Sequence, residues 1–259
     1  MPRKKKRKKW DKRWILLLCI VPFAVGLLVL LQGKQPRKNP YRPEDFSYDE
    51  NGYLQYKKGK ALRGIDVSEH QGNIDFEAVR ASGVEFVMIR VGYRGYKSGK
   101  LNKDEMAEVN YQNAKAAGLQ VGVYFFSQAV TVAEAEEEAE MLLNCIEGWE
   151  LDLWAAFDWE YVNEQARTAG MDARLLTDCT AAFLSKIAQA GEKPMVYCNR
   201  SQSRDLLYMK ELAEYDLWLA MYQDPIDAFP YDIKLWQYTN TGSVPGISGN
   251  VDLNLYFIE

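Results

Sequence analysis

Downstream of residue 60 the chain alternates short apolar runs with longer stretches whose apolar positions recur at helical spacing. Runs of strand length at 62–67, 85–91, 120–126, 153–159, 194–198, 217–221 and 234–238, with a last one near 253–257, predict eight strands. Between the early strands, 76–81, 103–117, 132–146 and 173–190 have the pattern of amphipathic helices. Alternating strands and helices predict an α/β fold with a parallel sheet under helical cover, and eight strands is the number of a (β/α) barrel. The connections after residue 198 are too short for full helices throughout, so the second half of the barrel is expected to lack helical cover. Thr131 followed by Glu134 reads as a capping box for the third helix. The run Glu134, Glu136, Glu137, Glu138 and Glu140 reads as that helix's solvated face.

The amino-terminal end has a different pattern. Residues 1–13 hold nine Lys or Arg against Asp11, and residues 14–31 are an unbroken apolar run. That run is close to the ~20 residues that cross a bilayer as a helix. Basic residues stay on the cytoplasmic side, so the expectation is a cell-membrane protein with a single pass, a cytoplasmic segment 1–13, and everything after residue 31 outside. A cleaved secretory signal is the rival, but Leu30, Leu31, Gln32 and Gly33 offer no small-residue cleavage site. Residues 32–60 read as an extracellular spacer rich in Pro, Lys and Arg. Asn51-Gly52 between alternating residues raises a hairpin within it, against a disordered spacer.

Net charge is −4 for the chain, and therefore −12 without the first thirteen residues. An acidic exported part is a poor partner for nucleic acid, and binding to an anionic surface would have to come from a shaped groove. The four cysteines (Cys19, Cys145, Cys179 and Cys198) show neither a disulfide framework nor a zinc spacing, and read as buried small hydrophobes. His70 is the sole histidine, which leaves little room for a Ser-His-Asp mechanism or a histidine metal site.

Three acidic constellations bear chemistry. In LWAAFDWEYV an apolar strand ends in Asp158 and Glu160, whose spacing of two puts both side chains on one face. Acids at the carboxyl end of a buried parallel strand face the open mouth of the barrel, where active sites are built. Close carboxyls resist joint ionisation, so one stays protonated, as glycoside hydrolysis requires. Asp66 ends the first strand, just before His70-Gln71-Gly72, and Asp252 precedes the last. If the barrel closes, those strands are neighbours and the two aspartates meet at the seam. Tyr124, Tyr197, Tyr222 and Trp236 stand near strand ends, as do Tyr93, Trp159 and Tyr238; those facing the acids would wall a sugar site.

GIDVSEHQG, FVMIRVGYRG, VGVYFFSQA, FDWE, PMVYCN, LWLAMY, LWQYT and GNVDLN occur in this order. From Leu62 to its end the chain resembles the family 25 glycoside hydrolases, the Chalaropsis-type lysozymes. The resemblance implies a flattened barrel over 61–259, no metal and no cofactor. It implies peptidoglycan glycan strands as the partner, cut at the β-1,4 bond between N-acetylmuramic acid and N-acetylglucosamine. It implies a site of Asp66, Asp158, Glu160 and Asp252, with Glu160 as the general acid. Tyr124, Tyr197, Tyr222, Trp236 and Gln71 are the candidate sugar contacts. His70 departs from the pattern, at a place where many members carry Trp. A non-catalytic wall-binding protein and a glucosaminidase cutting the other glycan bond are the competing readings.

Overall fold

The computed structural model describes residues 35–258. The expected basic segment 1–13 and membrane span 14–31 lie outside them; among the described residues no helix is long and apolar enough to cross a membrane. The compact unit begins at Pro36, well before the boundary at 61 expected from the sequence. Strands β1 (Phe46–Tyr48) and β2 (Leu54–Tyr56) pair as an antiparallel hairpin. Its turn is wider than the two-residue Asn-Gly loop. The carboxylate of Asp49 accepts from the amides of Asn51 and Tyr53, and Gly52 takes the left-handed conformation at φ 80°.

All eight predicted barrel strands are present, as β3 (Ala61–Val67), β4 (Phe86–Arg94), and, after a short β5 (Leu101–Lys103), β6 (Gln120–Ser127), β7 (Ala155–Trp159), β8 (Pro194–Asn199), β9 (Asp216–Ala220), β10 (Leu235–Gly242) and β11 (Val251–Phe257). They pair in the order β3-β4-β6-β7-β8-β9-β10-β11, and β11 returns to β3 to close the barrel. Seven of them are parallel, but β11 is antiparallel to both neighbours. The eight residues 243–250 are too few for the crossover that a parallel neighbour needs, so the chain turns straight back. Helices α1 (Phe76–Ala81), α2 (Ala107–Ala116), α3 (Val132–Cys145) and α4 (Ala173–Gln189) fall where the periodicity predicts, and α5 (Arg200–Asp205) is a short one after β8. Helix α2 starts later than expected because Asp104 accepts from the Met106 amide, and the residues before it form β5 on the edge of β4.

Each barrel strand divides its side chains between two cores. In β7, Ala155, Phe157 and Trp159 join the outer core under the helices, while Ala156 joins the small core inside the barrel with Met88, Met195 and Trp218. Glu138 of α3 departs from the solvated face expected of its glutamates. It is buried, and its carboxylate binds Arg94 at 2.7 Å because that guanidinium, on an inner strand, has to be neutralised. Thr131 caps α3 through the Glu134 amide, but the Glu134 carboxylate turns to the Val130 amide and to Arg167, so the reciprocal box does not form.

The missing helical cover of the second half is supplied by the segment before the barrel. Tyr41 stacks on Phe257 at 4.0 Å, and Phe46 meets the Trp236 ring edge-on at 5.2 Å. Tyr41, Tyr53 and Leu54 are buried in the outer core. Residues 36–60 are therefore a structural part of the barrel domain. Phe46→Ala is expected to lower the unfolding free energy by about 2–3 kcal/mol in urea titrations, the cost of removing a packed aromatic that keeps some exposure. Tyr48→Ala, on the hairpin's exposed face, should change it by less than ~0.5 kcal/mol.

Candidate active site

The carboxyl ends of the seven parallel strands and the amino end of β11 surround a cavity of about 260 Å³ that contains Asp66, Asp158, Glu160 and Asp252 together. Asp66 and Asp252 are register partners across the antiparallel β3–β11 seam, the meeting that barrel closure predicts. Asp158 is the inward-facing residue near the end of β7, and Glu160 follows one residue past that strand. Gly64, two residues before Asp66, has a packing reason to be glycine: a Cβ there would overlap the Phe86 ring inside the barrel.

Two amides that the sequence reading did not single out hold Asp66. Gln237 Nε2 donates to its Oδ2 at 2.8 Å, and Asn254 Nδ2 donates to the same oxygen at 2.7 Å. Gln237 Oε1 in turn accepts from Tyr222 at 2.6 Å and from Tyr197 at 3.2 Å, while Asn254 Oδ1 accepts from the Trp218 indole at 2.8 Å. A signal for both was available. Gln237 interrupts the apolar run of β10, and Asn254 shares the inward face of β11 with Asp252 by a spacing of two.

Burial pushes the Asp66 carboxyl up to about 6, opposed by its hydrogen bonds from Gln237, Asn254 and Asp252 and assisted by the charge of Glu160. Asp252 is lifted to about 9, by burial first and then by the charge of Asp66 and the hydrogen bond between them. Near neutral pH the pair thus shares one proton, carried by Asp252 and donated to Asp66. Asp158 is held well above the ordinary carboxylate range by burial and then by the charges of Glu160 and Asp66, with Arg90 pulling it down. Its Oδ1 is buried with no hydrogen-bond partner.

Of the expected sugar contacts, Tyr124, Tyr197, Tyr222 and Gln71 line the cavity, and His70 stands on its rim. Trp236 does not. It lies on the outward face of β10, where its indole donates to Met221 O at 2.9 Å and its ring meets Phe46. The alternation of the strand gives the inward position to Gln237 instead. Arg90, also missed, lines the cavity, its Nε donating to Asp104 at 2.8 Å and its guanidinium forming an ion pair with Glu69 at 3.2 Å. Cys179 and Cys198 are buried free thiols that burial pushes up to about 12, in line with their reading as small hydrophobes.

Both members of the Asp66–Asp252 pair start from 3.8 when unfolded and have raised values when folded. Such groups contribute stability that is complete below the unfolded value and is lost as pH rises through the folded one. The domain is therefore expected to lose stability as pH rises from about 4 through about 6, and further up to about 9. Asp252→Asn should flatten the upper part of that curve, between about 6 and about 9. Urea midpoints measured across the range check this, and an unchanged slope in the variant would contradict the assignment of the shared proton.

The family described as glycosyl hydrolases family 25 matches the chain over residues 65–247. The autolytic lysozyme of Clostridium acetobutylicum is 31% identical over 193 residues, which are 74% of this chain and 55% of that protein. The chain thus spans about half the length of that relative. The modular autolysin LytC from Streptococcus pneumoniae superimposes with a TM-score of 0.68 at 27% identity, over 82% of this chain and 50% of the other. LytC is also known in complex with a synthetic peptidoglycan ligand. A family 25 glycosyl hydrolase from Bacillus anthracis, at 19% identity, shares the fold with a TM-score of 0.66 over 82% of this chain and 96% of its own. Matched over most of its barrel and carrying the four acids in one cavity, the chain belongs to glycosyl hydrolase family 25.

Proposed function

We propose that this domain is a muramidase, cleaving the β-1,4 bond between N-acetylmuramic acid and N-acetylglucosamine in peptidoglycan. The observation that carries the reading is the convergence of Asp66, Asp158, Glu160 and Asp252 on one cavity walled by tyrosines. Glu160, half-buried just beyond the strand end, acts as the general acid toward the leaving glycosidic oxygen. Asp158 receives the N–H of the substrate's 2-acetamido group on its unpartnered buried oxygen, a seat that a hydrogen-bond donor brought by the substrate would satisfy.

The acetamido oxygen then attacks the anomeric carbon as the bond to the leaving oxygen breaks, and the proton of Glu160 passes to that oxygen. Water, deprotonated by the Glu160 carboxylate, opens the resulting cyclic intermediate and restores the acid. Asp158 stands on the same strand face as Glu160, beside it, and a nucleophile would have to stand across the sugar ring. The Asp66–Asp252 pair supplies negative charge to the cavity, where positive charge develops at the sugar.

The domain is further proposed to act outside the cell, tethered by a single membrane span. The basic block 1–13 followed by the apolar run 14–31 supports that reading.

Glu160→Gln should reduce release of reducing ends from purified walls by ~10²-fold or more with the fold intact; retention of more than about a tenth of wild-type turnover would place the acid elsewhere. Mass spectrometry after borohydride reduction separates the alternatives: muramitol ends support the muramidase, glucosaminitol ends a glucosaminidase, and binding without any new ends a wall-binding protein. Participation by the acetamido group requires net retention, so early proton NMR spectra should show the β-anomer first. An initial α-anomer, or a trapped glycosyl–Asp66 adduct, would rule the participation out. For topology, protease added to intact protoplasts should remove the domain and leave a tag placed before Arg3 protected; a soluble product beginning near Gly33 in the medium would mean cleavage instead.

A further inference from the structure

Glu160 sits one residue beyond the end of β7, where the sheet no longer holds the backbone. The ladder from β8 stops at Asp158 and Tyr197, so the carbonyls of residues 159 and 160 reach past their strand partners on that side. Two buried glutamine amides take over. Gln202 Nε2 donates to Trp159 O at 2.7 Å, and Gln128 Nε2 donates to Glu160 O at 3.0 Å. They come from opposite sides, Gln128 from the turn after β6 and Gln202 from the first turn of α5 after β8.

Gln128 is fully buried, and each of its polar groups is used. The same Nε2 also donates to Ser127 O at 2.9 Å, and Oε1 accepts from Thr168 Oγ1 at 2.7 Å. Thr168 lies in the loop that leaves Glu160, so one side chain ties both ends of that excursion together. The backbone of Gln128 is held in turn, its amide by Glu138 and its carbonyl by Arg167 at 3.2 Å, while Arg167 also binds Glu134 at 2.7 Å. The buried Arg94–Glu138 pair thus anchors the far end of a chain of bonds that ends at the peptide of the general acid.

We infer that Gln128, locked by Thr168, is a positioning residue that fixes the backbone of Glu160, so that the carboxyl meets the glycosidic oxygen at the distance and angle proton transfer needs. The inference rests on the muramidase reading for its catalytic consequence but not for the clamp itself. A misplacement of about 1 Å can cost ~10²-fold in turnover, whereas binding is spread over the whole cavity. A bond that only satisfied buried polar groups would, on removal, lower stability and leave the turnover of the folded molecules alone.

The test uses the full chain and the variants Thr168→Val, Gln128→Leu and Gln128→Glu, with Gln165→Ala, an exposed neighbour in the same loop, as control. Thr168→Val and Gln128→Leu are expected to lower kcat on purified wall by about tenfold or more with KM within about twofold, corrected for the folded fraction. Gln128→Glu, which accepts from Thr168 but as a carboxylate cannot donate to Glu160 O, should follow the leucine variant, and Gln165→Ala should match wild type. Amide hydrogen exchange at residues 160–162 should quicken in Thr168→Val, the mildest change and the one that decides the matter if Gln128→Leu does not fold. Unchanged exchange there, or a kcat within about twofold of wild type in folded Thr168→Val, would overturn the inference. If wild type releases no reducing ends, the muramidase reading falls while the exchange measurement still judges the clamp.

Discussion

The constraint on which the site depends is the antiparallel seam between β3 and β11, which places Asp66 directly beside Asp252. Two buried carboxyls cannot both be charged at such range, so the site has to distribute its protons unequally. The two amides decide how. Asp66 is the more deeply buried of the pair, yet it keeps the lower value because Gln237 and Asn254 both donate to one of its oxygens. Asp252 has no such donors, retains its proton, and turns it toward Asp66. The anion is thus placed by hydrogen-bond supply and not by depth alone.

That arrangement needs the inner face of the barrel to be polar only at its mouth. Below the acids the interior is closed by Met88, Met195, Trp218 and Phe86, so water is excluded from underneath. Trp218 does both jobs, filling the interior with its ring and bonding Asn254 with its indole nitrogen. Tyr197 and Tyr222 are likewise shared between the cavity wall and the network through Gln237. Changes at these aromatics therefore act on the shape of the cavity and on the surroundings of Asp66 together.

The outer face obeys a different requirement. Among the described residues no helix covers β10 and β11, and residues 36–60 bring Tyr41, Phe46 and Tyr56 to meet the aromatic side chains there. This segment precedes the region matched to the family, and it braces the outward side of the strand whose inward Gln237 holds Asp66. Residues 36–60 and the acidic cavity thus meet opposite faces of one strand.

The eight strands, four main helices and thin cover of the second half were legible in the sequence, because periodicity is a local consequence of which face is buried. So were Asp158 and Glu160, whose spacing alone puts them on one side, and the meeting of Asp66 with Asp252, given a closed barrel. Other features depended on partners distant along the chain. Whether Trp236 or Gln237 faces inward is a matter of register, and a one-residue difference exchanges cavity wall for outer core. The burial of Glu138 follows from an arginine four elements earlier in the chain, and the reversal of β11 from the shortness of one loop. Sequence patterning settles which residues prefer burial; only the closed tertiary structure decides which polar groups are buried together, because a hydrogen bond between positions 66 and 254 is set by strand register and leaves no local trace in either segment.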